Sequence, residues 1–225
     1  MARRRSLPTL SPRKLPTQER ARRTYRAILE AGARILERQG YEALTTNHVA
    51  DLAGVGIASL YEYFPNKQAL VAEIVRHVLE DLLAELDRSK QLITTSPAHV
   101  ALEAWLGAMY QAVAKRRDVV TVIVQEVPFL WDIPAVDNTR TMLLALARST
   151  RELGASVGTP RLPDAMVYLL ATMTGAAVLE AVLRPPAEHS PAELIETLAE
   201  IINRVTGARQ TTRASRRRPR ASKRA

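Results

Sequence analysis

The sequence predicts an all-α protein, with a three-helix head near residues 24–66 joined to a larger helical body. Three observations carry this. From Tyr25 onward, apolar residues recur at the three- and four-residue spacing of one helix face. Pro, Gly and Asp interrupt that spacing at intervals of about one helix length. Strand-like alternation of apolar and polar residues persists nowhere. The β-branched run VVTVIVQEV (119–127) reads as helix or strand by itself, and helical segments on both sides favour a buried helix.

Taken in order, residues 1–19 hold Pro8, Pro12 and Pro16 among Ser and Thr, without apolar periodicity, and read as a flexible basic arm. A first helix follows from about Thr24, with Tyr25, Ile28, Leu29, Ile35 and Leu36 in register and Gly40 as its C-cap. Thr45 is placed to cap a short second helix that turns Val49, Leu52 and Ala53 inward, and Gly54 breaks it. A third helix is expected over 57–64. There IASLYEYF crowds Tyr61, Tyr63 and Phe64 together in a chain with only 4% aromatic residues. Leu60 and Phe64, four apart, share one face and pack on Ile28, Leu36 and Val49, while Ser59, Tyr61, Glu62 and Tyr63 project from the rest. After Pro65-Asn66 a longer amphipathic helix runs through Leu70, Ile74, Val78, Leu82 and Leu86. Beyond Ser96-Pro97, the segments 97–115, 118–130, 136–153, 163–183 and 191–205 each fit a helix, with PFLWDIP (128–134) as an irregular break. The expected domains are an arm (1–19), the head (20–66), the helical body (67–206) and a disordered basic tail (207–225).

Composition narrows the class. With 47% hydrophobic residues, the 225-residue chain can bury a real core. It has no cysteine, which excludes disulfides and thiolate metal sites and makes a reducing cytoplasm the expected setting. No apolar run is expected to approach the roughly 18–20 residues of a membrane span. The basic start MARRRSLPTLSPRKLP has no apolar core behind it, so no secretory signal is expected. The net charge of +9 is unevenly placed: +8 in residues 1–26, +8 in 207–225 and −7 between them. Cationic ends on a mildly acidic body suit a polyanion such as nucleic acid, or are solvated tails without a ligand.

Two short helices, a glycine turn (Ala53-Gly54-Val55) and a helix with exposed polar residues form the helix-turn-helix pattern. Gly54 permits the positive φ of a tight turn, and Val55 can tuck between the helices. The run GYEALTTNHVADLAGVGIASLYEYFPNKQAL closely resembles the TetR family of bacterial transcriptional regulators, over about 50 residues from Tyr25 to Ile74. It matches at Gly40-Tyr41, Thr45-Thr46, Ala50, Ala53-Gly54-Val55, Leu60-Tyr61, Tyr63-Phe64 and Lys67. The body is only generically similar. The resemblance implies that Ser59, Tyr61 and Tyr63 touch DNA, that Lys67 grips a phosphate, and that Thr46 and Asn47 meet backbone and base. Asn47 has the edge groups to take adenine, and a tyrosine can meet a thymine methyl or a phosphate. Both tyrosines can instead simply support the core. Thr45 at the start of the second helix, and Gly56, Ile57, Ala58 and Glu62 on the third, complete the candidate DNA-binding surface.

Three of these residues depart from the family's habit. Gly56 stands where Ser is common, which removes a side-chain cap and its phosphate contact. Ala58 replaces a common glycine and brings a methyl to the DNA face. Glu62 is a carboxylate where neutral or basic groups are frequent; it can accept from cytosine N4 or repel phosphates.

TetR-like proteins pair through their last two helices, which implies a homodimer and a palindromic operator on double-stranded DNA. Leu194, Ile195, Leu198, Ile201, Ile202 and Val205 form a stripe on the final helix, and Gly175, Ala176 and Ala177 permit close approach on the one before. That stripe can also close the protomer's own core. Aromatic and Met residues gather in the body, and Trp105, Tyr110, Phe129, Trp131, Met142 and Tyr168 are the candidate lining for a small apolar effector of unknown identity, each of them equally at home in plain core.

No cofactor, metal site or membrane partner is expected. His48, His77, His99 and His189 form no i, i+4 pair, and neither a phosphate loop nor a nucleophile elbow is present, so the chain does not read as an enzyme. The reading that follows is a cytoplasmic, ligand-responsive repressor. The alternative is a basic chromosome-organising protein that coats DNA without operator or effector. An intact reading helix favours the first.

Overall fold

The computed structural model describes residues 9–94, 98–156 and 162–207. These residues form nine α-helices and one 3₁₀ turn, with no strand among them: α1 (Glu19–Ala43), α2 (Thr46–Ala53), α3 (Ile57–Tyr63), α4 (Lys67–Thr94), α5 (Ala98–Ala114), α6 (Arg117–Glu126), the turn Leu130–Asp132, α7 (Pro134–Ser156), α8 (Asp164–Leu183) and α9 (Pro191–Thr206). The run 119–127 is therefore helical up to Glu126. Pro128 stops it there by forcing the preceding residue, Val127, into an extended conformation (φ −83°, ψ 106°). The predicted break at 128–134 contains the 3₁₀ turn. α1 starts at Glu19, earlier than its apolar periodicity suggests, because its first turn is exposed and leaves no apolar trace.

Two compact units emerge. One holds the described residues up to Ala84 with Val113–Arg140; the other holds Glu85–Ala112 with the described residues from Thr141 on. The first unit thus takes in α6, which packs on α1, and crosses the boundary drawn at 66/67 from the sequence.

The core of the first unit is built from Ile28, Ile35 and Leu36 of α1, Leu44, Val49 of α2, Leu60 and Phe64 of the third segment, and Leu70, Val71 and Val75 of α4, all fully buried. Burying each such side chain contributes roughly 1.5–3 kcal/mol. Tyr25 organises the aromatic part: its ring stacks on Phe64 (centroids 5.2 Å, 30°) and meets Tyr63 edge-on (5.3 Å, 83°). Leu52, expected inward, is exposed. The inward face of two-turn α2 is centred on Val49 and Ala50; Ala53 falls on it, and Leu52 lies roughly 110° away.

Beneath the aromatic cluster α4 carries a buried charge. Glu73 accepts from Tyr25 Oη (2.6 Å) and from Arg76 Nε (2.9 Å) and Nη2 (2.7 Å), and Arg76 also pairs with Glu80. Burial alone would raise the Glu73 pKa, but the hydrogen bonds from Arg76 and Tyr25 outweigh it and hold the carboxyl below its ordinary range.

Gly40 and Gly54 both have positive φ, with different consequences. Gly54 sits in the left-handed region (66°, 32°) and donates to Ala50 and Asp51; a Cβ there meets nothing within 4 Å. Gly40 lies at (84°, 176°), ground that only glycine occupies readily, and a Cβ there falls 2.6 Å from Glu126 Oε2. That oxygen accepts the Tyr41 amide at 2.8 Å, so moving it away loses the bond that ties α6 to the end of α1. We therefore expect Gly54→Ala to cost about 1 kcal/mol and Gly40→Ala about 2–4 kcal/mol. Paired denaturant melts test this; equal penalties would show that the Glu126 contact adds nothing.

In the second unit α8 packs on α9. Leu106, Val178 and Ala199 form the buried centre, with Trp105, Met109, Tyr110, Ile195, Leu198 and Ile202 packed around it. Ser190 caps α9 by accepting from the Glu193 amide at 3.2 Å. The α9 stripe thus divides: Ile195, Leu198 and Ile202 close this core, while Ile201 and Val205 stay exposed. The expectation that no apolar segment reaches membrane-span length fails at α8, which is long and apolar enough by length and composition, with 28% of its apolar window buried. Its hydropathy comes from two apolar faces. Val167, Val178 and Val182 are buried, and Met166, Leu169 and Met173 are exposed.

Candidate nucleic-acid interface

The candidate interface lies on α2 and α3. Thr45 Oγ1 accepts the His48 amide (3.2 Å) and starts α2, which leaves Asn47 exposed in its first turn. α3 begins at Gly56 without a side-chain cap, as that residue dictates. Ile57, Ala58, Tyr61 and Glu62 are exposed along α3, and Ser59 is half-buried. Thr46 Oγ1 and Tyr61 Oη lie 3.1 Å apart, a hydrogen bond that joins the two helices on their outer side and fixes the Tyr61 hydroxyl.

Tyr63 corrects the sequence expectation. It does not project; only 6% of it is exposed. Leu60, Tyr63 and Phe64 form an i, i+3, i+4 stripe on one face, and the Tyr25 ring closes over it.

Lys67, in the first turn of α4 behind the Asn66 cap (Ala69 amide to Oδ1, 2.7 Å), rests its Nζ 3.8 Å from the Tyr41 ring centroid. Tyr41 in turn meets Phe129 edge-on at 5.9 Å. Burial, and secondarily Glu42, push the Tyr41 hydroxyl pKa up. Part of the basic arm is also placed. Residues 1–8 lie outside the described residues, but 9–18 run as non-helical chain against the head. The Arg13 amide donates to the Tyr63 carbonyl (2.7 Å), and Lys14 Nζ pairs with Glu62 Oε2 (2.8 Å). The hydrogen bond to Glu62 holds the Lys14 pKa above its ordinary value. A shallow cleft of about 240 Å³ lies beside this pair, lined in part by Arg20, Thr24, Ser59 and Glu62.

Sequence reasoning missed three groups: the docked Arg13-Lys14, the Glu126–Tyr41 tie and the Glu73 network. Glu73, inside the apolar run 69–75, and Arg76 just after it left a signal, a charged pair at i, i+3. Their partner Tyr25, 48 residues away, left none. The candidate effector residues are scattered in their surroundings. Trp105 and Tyr110 join one cluster in the second unit, where Met142 and Tyr168 are exposed; in the first, Phe129 is buried on Tyr41 and Trp131 is 79% exposed. The basic tail from 208 onward lies outside the described residues.

Fold and surface together define a helix-turn-helix protein. Residues 28–74 match the family described as bacterial regulatory proteins, tetR family. Among curated relatives, the HTH-type transcriptional repressor KstR2 of Rhodococcus jostii is 31% identical over 132 residues, 58% of this chain and 61% of that protein. KstR2 of Mycolicibacterium smegmatis is 29% identical over 127 residues, 56% of this chain and 60% of its own. The aligned stretch thus spans about three-fifths of these relatives. The fold extends further: FadR of Bacillus subtilis, solved with stearoyl-CoA, superposes with a TM-score of 0.60 at 17% identity, covering 82% of this chain and 98% of that one. The fatty acid degradation regulator FadR of Bacillus halodurans gives 0.62 at 14%, covering 84% and 96%. The match to the tetR family thus covers the head, residues 28–74, and the fold is shared with these solved structures along most of the chain.

Proposed function

We propose that this chain is a sequence-specific DNA-binding transcriptional regulator, a repressor that binds a palindromic operator as a homodimer in the cytoplasm. The observation that carries it is the outer face of α2 and α3, where Asn47, Ala58, Tyr61 and Glu62 stand exposed and Thr46 fixes the Tyr61 hydroxyl at 3.1 Å. A non-specific DNA-coating protein needs charge but no such ordered face. Lys67, parked on Tyr41 at the start of α4, is the phosphate contact in this reading. Thr45, Gly56, Ile57 and Ser59 frame the same surface, and Tyr63 supports it from behind.

The dimer is supported by the second unit. Met166, Leu169 and Met173 make an exposed apolar stripe on α8, continued by the small Ala176 and Ala177, and Ile201 and Val205 are exposed on α9. Uncovered apolar stripes of this kind mark interfaces, and a second copy supplies an identical stripe to meet them. A small apolar effector binding near Trp105 and Tyr110 of the second unit would relieve repression. The curated relatives are named as repressors, and the likeness over about three-fifths of their length supports the same direction of control here.

Selection of bound duplexes from a random pool at about 150 mM salt, where the electrostatic component is reduced, tests the reading. Enrichment of a palindrome is the expected result; a pool that stays random would transfer the case to the chromosome-coating alternative. On the enriched site, Asn47→Ala and Tyr61→Ala each weaken binding about 10- to 100-fold. Tyr61→Phe, which keeps the ring and loses the bond to Thr46, costs only a few-fold.

A further inference from the structure

We infer that Lys14 is a specificity-determining positioning residue: docked on the end of the reading helix, it holds and neutralises Glu62, so that α3 meets DNA with a paired carboxylate. The inference rests on the DNA-reading function proposed above. Glu62 is the one acidic side chain on α3, and it stands on the exposed arc with Ala58 and Tyr61. A bare carboxylate there faces a polyanion carrying one charge per ~1.7 Å of duplex axis. The structure supplies its counter-charge from within the protein, from a residue 48 positions earlier in the chain.

Three contacts place Lys14, and they differ in kind. The Arg13 amide donates to the Tyr63 carbonyl at 2.7 Å, satisfying a last-turn acceptor that α3 cannot satisfy internally. Lys14 Nζ sits 2.8 Å from Glu62 Oε2 and 5.3 Å from the Tyr63 ring centroid. The backbone bond sets the register of the arm on the helix, and that register brings the ammonium to Glu62 rather than to open solvent. Both side chains remain about half exposed, so the pair contributes little to folding. Its effect falls on what α3 presents. Held at one oxygen by Lys14, Glu62 keeps the other for a base-edge amino group, the cytosine N4 donor being the one that suits a carboxylate. Without Lys14 the same carboxylate repels the backbone.

A double-mutant cycle on operator binding tests this. Lys14→Ala is expected to weaken binding to the selected site about tenfold or more, and Glu62→Gln alone only a few-fold. The double variant Lys14→Ala/Glu62→Gln should return to within about threefold of Glu62→Gln, because the unpaired charge is gone. Selection repeated with Glu62→Gln should relax one position in each half-site. Two outcomes overturn the inference. If Lys14 grips a phosphate directly, Lys14→Ala lowers the salt slope by about one unit and Glu62→Gln rescues nothing. If the pair is an idle surface contact, Lys14→Ala leaves affinity and selected sequence unchanged. Both positions are exposed, so melting curves should coincide and folding does not confuse the result. A wild-type protein that enriches no sequence overturns the DNA-reading function together with this inference, whereas wild-type enrichment with additive single effects overturns the inference alone.

Discussion

Met173→Glu is expected to convert a dimer into a monomer and to weaken operator binding by a factor of about 10²–10⁴. Met173 is 65% exposed on the protomer, beside Leu169 on the same face of α8, so a glutamate there leaves the fold of the chain alone. In the proposed dimer that face is buried, and an unpaired carboxylate in an apolar interface costs several kcal/mol. The effect on DNA follows from linkage. Two heads held together bind the second half-site at a high effective concentration, and this gain, roughly 10²–10⁴, disappears with the dimer. Light scattering and gel shift measure both quantities on one preparation, with far-UV circular dichroism to confirm the helices. A variant that stays dimeric at wild-type affinity would place the interface elsewhere.

Arg76→Ala is expected to destabilise the chain by about 2–3 kcal/mol at neutral pH. Removing one partner of a buried ion pair commonly costs about 3–5 kcal/mol; the cost is lower here because solvent screens the Arg76 side chain, which is 36% exposed while Glu73 is 4% exposed. The pH dependence identifies the cause. In the wild type, Glu73 is held below its ordinary pKa, so its contribution is present above the unfolded-state value near 4.3. It is lost as pH falls through the lower folded value. In Arg76→Ala, burial acts on Glu73 with only Tyr25 and the nearby His77 opposing it, and the carboxyl moves up. The variant is then penalised most near neutrality, where Glu73 must be charged, and regains ground as acid protonates it. Thermal melts between about pH 7 and pH 4.5 should show the gap between wild type and variant narrowing, and Glu73→Gln/Arg76→Ala should narrow it near neutrality and leave it little dependent on pH. A gap constant with pH would mean that Arg76 acts through packing alone.

The consequences of these two substitutions differ in how visible they were beforehand. The α8 face was partly legible: Gly175, Ala176 and Ala177 and the α9 stripe suggested contact between protomers. The sequence had no means of dividing that stripe. Ile195, Leu198 and Ile202 turn onto Leu106 and Val178, and Ile201 and Val205 do not, because α8 and α5 occupy only one side of α9. The Glu73 network was hardly legible. A lone glutamate among Val71, Ala72, Ile74 and Val75 signals an anomaly, but its resolution depends on Tyr25 from another helix.

By itself the sequence determined the all-α class, most of the helix ends and the helix-turn-helix geometry. Those are local properties: Gly40 and Gly54 permit backbone angles that other residues resist, Thr45 supplies an oxygen two or three residues from the amides it caps, and Pro128 displaces the residue before it. Leu60 and Phe64 turn inward because they lie four apart on a helix. The tertiary structure alone decided which remaining side chains are covered. A helix of seven residues has no intrinsic inside, and Tyr63 is buried because Tyr25 and the Arg13-Lys14 segment arrive over it. Lys14 meets Glu62, and Tyr25 meets Glu73, across 48 residues of chain. Contacts of that range are set by how the helices pack, and periodicity along one segment carries no record of them.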